Sequence, residues 1–177
     1  MAQRATPYKV HLELSDTDRG RYESLRMTVA RHPSETEERL AARILAYGLW
    51  FEEDLAFGRG LSDVDEPALW NKSPDGQIEH WIEVGRPTSE RLVWCARRYP
   101  KVSLLAYGSN RVWAGNTLPR TAGLDNLNVA QLALDPLAVD LPRTIDWGLM
   151  ITDDVLYVSD ADSQHELPVE WLQGGRD

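Results

Sequence analysis

The chain has one cysteine, two phenylalanines and three lysines in 177 residues. No apolar run approaches the ~20 residues of a membrane span. A lone Cys95 excludes an internal disulfide, and no Cys-x-x-Cys or other ligand spacing surrounds it. It reads as a packing residue in a helix with Leu92, Val93 and Trp94. The histidines, His11, His32, His80 and His165, are scattered without HxxxH or HExxH spacing, which argues against zinc chemistry. No GxGxxG, Walker A, GxSxG or kinase signature is present, so dinucleotide binding and P-loop hydrolysis have no support. Residues 1–10 contain basic side chains but no apolar signal-peptide core, so the expectation is a cytoplasmic protein without a membrane partner. Repeats, linkers and low-complexity tracts are lacking too. That leaves one domain over residues 1–177, long enough to bury roughly two-thirds of its unfolded surface.

What the chain has in excess is carboxylate, for a net charge of −9. Residues 1–59 carry 9 basic and 10 acidic side chains, residues 60–111 carry 7 and 7, and residues 112–177 carry 3 and 11. That net charge argues against a nucleic-acid binder, and the objection is weakened by its distribution, since the acidity is mostly C-terminal. Nearly all of these cations are arginines, suited to bidentate phosphate contacts and to surface ion pairs.

Tyr8 to Leu14 alternates apolar and polar residues, the pattern of a half-buried strand, and a run through Leu25, Met27 and Val29 makes a hairpin with it. Ser34 and Glu37 have capping-box spacing, which predicts a helix from Ser34 to about Leu55. Its wheel sets Glu35 toward the polar side. An irregular acidic segment from Ser62 to Trp70 follows, with a short helix near Pro67, then a turn at Pro74-Asp75-Gly76. Gln77 to Val84 reads as an internal strand, with Trp81 and Glu83 sharing one face. Thr88 caps a helix through Arg98, and Lys101 to Tyr107 is the next strand, giving a parallel βαβ unit. Strands near Leu127–Leu134, Thr144–Ile151 and Val155–Val158 close the chain, the last two joined at Asp153-Asp154. The fold class is α/β (α+β).

The acids Asp63, Asp65 and Glu66, followed by Glu83, are the oxygen ligands a Mg²⁺ or Mn²⁺ site would use to activate water against a phosphodiester. The plain alternative is that Glu83 satisfies an arginine. The stretches Arg31-His32-Pro33-Ser34-Glu35-Thr36-Glu37-Glu38-Arg39, Gly60-Leu61, Asp65-Glu66-Pro67 and Trp81-Ile82-Glu83-Val84-Gly85 resemble the signatures of the YaeQ family, along essentially the whole chain.

The resemblance implies a mixed β-sheet flanked by helices around a PD-(D/E)XK, restriction-endonuclease-like core. In that pattern an Asp precedes a strand carrying Glu-x-Lys, and some members add a Glu from an earlier helix. These roles fall on Asp65, Glu83 and Glu38. Pro74-Asp75 matches the dipeptide literally, and the helical wheel leaves Glu37 open beside Glu38. Gly85 stands where the pattern has lysine. Lys101 opens the neighbouring strand, but an offset of about five residues, roughly 16 Å, sets it away from Glu83, with Ser103 or Leu105 nearer. Lys72 reaches from the loop before the strand. Arg31, Ser34 and Arg86 are candidate phosphate-binding residues, and Trp81 a candidate stacking platform.

The expected function is a divalent-metal-dependent nuclease-like activity on nucleic-acid phosphodiester bonds. The alternatives are a non-catalytic binding or regulatory module that keeps the core, and an enzyme acting on a small phosphorylated metabolite.

Overall fold

A computed structural model gives the fold and describes residues 4–137 and 140–176. In chain order the elements are β1 (Thr6–Asp16), β2 (Arg21–Arg31), α1 (Glu37–Leu49), β3 (Leu55–Phe57), β4 (Leu69–Lys72), β5 (Ile78–Val84), α2 (Ser89–Arg98), β6 (Lys101–Tyr107), α3 (Arg111–Thr121), β7 (Leu127–Leu132), β8 (Thr144–Thr152), β9 (Val155–Ser159), β10 (Gln164–Pro168) and β11 (Glu170–Gln173). A short 3₁₀ turn covers Gly60–Ser62. This is a mixed α+β fold. Among the described residues no helix is long and apolar enough to cross a membrane.

The elements gather into two units, Met1–Leu49 with Ala133–Val169, and Trp50–Leu132 with Glu170–Asp177. The first holds a five-stranded sheet in the order β10-β9-β8-β1-β2, in which β1 and β8 run parallel and the other pairs antiparallel. The alternation in β1 does what its pattern dictates: Tyr8, Val10, Leu12 and Leu14 are all buried. Ile145, Trp147, Leu149 and Ile151 of β8 repeat the period beside them.

α1 starts and ends differently from the capping-box reading. Thr36, not Ser34, is the cap, with its hydroxyl accepting from Arg39 N at 3.1 Å. Ser34 is instead engaged with His32 Nδ1, 2.7 Å from its Oγ. Glu35 is drawn inward, 3% exposed, so it is not on a polar face. At the far end the helix stops at Leu49. The apolar period that runs on to Leu55 belongs to Phe51, buried after the helix, and to Leu55, which opens β3 opposite Asn71.

The second unit holds a six-stranded sheet in the order β11-β7-β6-β5-β4-β3, parallel through β5, β6 and β7 and antiparallel elsewhere. β5 is internal, as its two-sided apolar pattern requires. The short helix expected near Pro67 lies earlier, at Gly60–Ser62, and Leu69 already begins β4. α2 starts where Thr88 accepts from Arg91 N at 3.1 Å. Its last carbonyls are closed by Asn126, whose Nδ2 donates to Ala96 O and Tyr99 O. Leu92 and Cys95 of α2 pack on Trp81, Val102, Leu104, Leu127 and Val129 of the sheet. α3, tied to the loop before α2 by Trp113 Nε1 donating to Pro87 O at 2.7 Å, has no counterpart in the sequence reading.

Candidate functional site

Strand alternation puts Trp81 and Glu83 on the α2 side of β5, and the helix supplies what they meet. Glu83 Oε1 accepts from Trp81 Nε1 at 2.9 Å and from Arg91 Nε at 2.9 Å. Its side chain is 13% exposed. Arg91 reaches it because the Thr88 cap fixes the first turn of α2, and its guanidinium also lies over the Trp81 and Trp94 rings. Cys95 completes the wall, with Sγ 3.9 Å from the same oxygen. Burial, with Glu83 adding to it, pushes the Cys95 thiol up to about 12. That thiol is protonated at neutral pH and is not a nucleophile.

Around this pair stands an aromatic cluster. Trp81 and Tyr99 stack at 4.6 Å, and Trp70 and Trp94 meet Trp81 edge-on at 6.1 and 6.2 Å. Trp81 is completely buried, so the stacking platform expected there is a core residue. Burial raises the Tyr99 phenol, and the negative charge of Asp65 is a smaller contributor in the same direction.

The other sequence candidates have local surroundings of their own. Asp65 is exposed in a turn where Asp63 Oδ1 accepts from its N–H at 2.9 Å. Glu38 lies on α1 in the first unit, whereas Asp65 and Glu83 belong to the second. Asp75 is exposed, and Ser73 donates to its carboxylate, which lowers its pKa. Lys72 is exposed with Nζ 3.7 Å over the Trp70 ring. Arg86 donates to Ser109 O at 2.9 Å. Arg31 donates to Glu35 O at 2.9 Å and lies 3.9 Å from Glu37. Each of these cations already has a partner in the fold.

Gly85 continues the ladder, its N–H donating to Leu105 O at 2.9 Å. Its φ is +116°, a region an L side chain enters only under strain. Space is not the obstacle, since nothing lies within 4 Å of an added Cβ. Glu83 pairs across the ladder with Leu104, between the two neighbours expected for it. Lys101 pairs with His80, three positions from Glu83 rather than about five, and its Nζ donates to Arg176 O at 3.0 Å.

A Mg²⁺ or Mn²⁺ ion binds through one or two carboxylates plus water and phosphate oxygens. Among the described residues no three His, Cys, Asp or Glu side chains gather into a set that would hold a metal ion. On donor chemistry, the Glu83 carboxylate fits an arginine and an indole N–H.

The sequence reading missed two groupings. Glu35 accepts from Arg39 and, through both oxygens, from Arg43 at 2.8 and 2.6 Å, while Arg43 also donates to Ala30 O. The i, i+4, i+8 spacing of Glu35, Arg39 and Arg43 was the available signal. The second is a cavity of about 570 Å³ beside α2, lined by Glu90, Val93, Trp94, Arg97, Arg98 and Arg120 among others. Its signal was the repeat of positions 90, 93–94 and 97–98 along one helix face.

The family described as YaeQ protein matches residues 1–169. The uncharacterized protein YaeQ of Salmonella typhi is 36% identical over 98% of this chain and 99% of its own length. The Escherichia coli (strain K12) protein of the same name is 34% identical over the same shares. The crystal structure of YaeQ protein from Pseudomonas syringae superposes with a TM-score of 0.96 at 55% identity, covering 99% of this chain and 100% of that one. The YaeQ protein from Xanthomonas axonopodis pv. citri gives 0.92 at 32% identity, covering 97% and 99%. The chain belongs to the YaeQ family.

Proposed function

We propose that this protein is a non-catalytic binding module on a nuclease-like core, acting in the cytoplasm on a phosphate-bearing ligand. The observation that carries the reading is the engagement of Glu83 Oε1 by Arg91 and Trp81. A carboxylate neutralised by a guanidinium across a buried wall is a packing element. The parallel β5-α2-β6 unit, with Glu83 near the end of β5, supports descent from a PD-(D/E)XK core. Gly85 supports loss of the catalytic lysine, because its backbone, at φ +116°, is one that an L side chain enters only under strain.

Calorimetry with Mn²⁺ on the wild type, Asp65→Ala and Glu83→Gln tests this, alongside cleavage of a panel of single- and double-stranded DNA and RNA. The expected result is no metal affinity and no cleavage that depends on either carboxylate. Mn²⁺ affinity lost in both variants, or cleavage lost in Glu83→Gln, would restore the metal-dependent nuclease.

A further inference from the structure

The cavity beside α2 runs along one face of the helix. Glu90 and Arg120 of α3 stand at one end, Arg97 and Arg98 at the other, with Val93 and Trp94 between. Seven residues of helix separate Glu90 from Arg97, about 10 Å at helical rise. Three guanidiniums against one carboxylate leave a local excess of cations on a chain whose net charge is −9. These cations are under-neutralised. Arg97 forms no ion pair among the described residues, and Arg120 comes only to 3.9 Å from Glu90 at an exposed site. Arg98 lies 4.1 Å over the Trp94 ring and donates one N–H to Trp94 O at 3.2 Å. Stacking fixes the guanidinium plane and leaves its remaining in-plane N–H groups to face an anion. Helix-dipole complementation accounts for basic residues in a last turn, but not for arginines of two helices lining one cavity of ligand size.

We propose that this groove binds a small nucleoside phosphate, with its phosphates on Arg97 and Arg98 at one end and its ring against Val93 and Trp94, toward Arg120. The assignment rests on the binding-module reading, and the two fail separately. Glu83-dependent cleavage overturns that reading, whereas the groove is judged by its arginines. Calorimetry with ADP and with pyrophosphate is the test, on the wild type, Arg97→Ala/Arg98→Ala, Arg120→Ala and Glu90→Gln, with circular dichroism to verify folding. ADP should bind saturably and more tightly than pyrophosphate. Affinity should fall at least about tenfold in Arg97→Ala/Arg98→Ala, as for loss of a charge-assisted hydrogen bond, fall less in Arg120→Ala, and hold or rise in Glu90→Gln. No saturable ADP binding, or unchanged affinity in Arg97→Ala/Arg98→Ala, overturns the proposal. So does a single-stranded oligonucleotide or a polyglutamate peptide that binds the groove and is not displaced by ADP.

Discussion

At the scale of single residues, two carboxylates show why proximity in a sequence signature does not assign chemistry. Glu35 sits inside one of the stretches that resemble the family's signatures, and its role is to hold Arg39 and Arg43. Glu35→Ala removes the carboxylate from a guanidinium that is 6% exposed, and should destabilise the fold by about 3–5 kcal/mol in urea titration, with Glu35→Gln intermediate. A loss below about 1 kcal/mol would show the network to be dispensable. Glu83 was legible as a carboxylate sharing a face with Trp81, because strand period alone fixes that. That its partner is an arginine was the plain alternative; which arginine was not legible, because Arg91 lies eight residues on and reaches back only through the geometry of a capped helix. Cys95 gives the pH-dependent counterpart. Its pKa is raised from 9.0 to about 12, so the folded state favours the protonated thiol. The associated stability is whole below pH 9 and is lost as pH rises through 9 toward 12. A Cys95→Ala variant should show a shallower alkaline loss of stability over that window, and an unchanged slope would refute the assignment.

At the scale of elements, legibility followed periodicity. β1, β5, α2, β6, β7, β8 and β9 were readable within a residue or two, since caps, turns and apolar runs mark their ends, and β2 was located by its Leu25, Met27, Val29 period within Arg21–Arg31. α3 was not. It contains Gly115 and Pro119, both poor helix formers, and is held by tertiary contacts such as Trp113 to Pro87. β10 and β11 are short and carry polar residues, so only their partners β9 and β7 define them. The β8-β9 turn was legible, and the structure adds its strain: Asp153 and Asp154 have φ of +53° and +59°, the primed geometry that matches strand twist. Asp18 compensates by accepting from both of their N–H groups. Asp154→Gly keeps the N–H that Asp18 receives and removes the Cβ penalty. Thermal unfolding should show a gain of about 0.5–1 kcal/mol, and a loss would mean that the Asp154 side chain itself stabilises the turn.

At the scale of the whole molecule, each unit is completed by a segment that arrives after most of the other has been synthesised. β8 pairs in parallel with β1 from the far end of the chain, and β11 closes the second sheet after the first unit's last strand. Such long-range pairing is entropically slow to form, which places folding toward the millisecond-to-second range. It also makes the last residues structural. β11 covers the edge of β7, Trp171 packs edge-on against Trp50 at 6.4 Å, and Gln173 Nε2 donates to Thr121 O at 2.9 Å. Removing residues 170–177 uncovers that edge and deletes a packed indole, for a loss of at least about 3 kcal/mol and a tendency to aggregate through the exposed strand. Fluorescence can assign the damage, because Trp147 is the only tryptophan of the first unit and the other six belong to the second. The urea midpoint followed by tryptophan emission should fall in the truncated chain. An unchanged midpoint would show that β7 stands as a stable edge without β11.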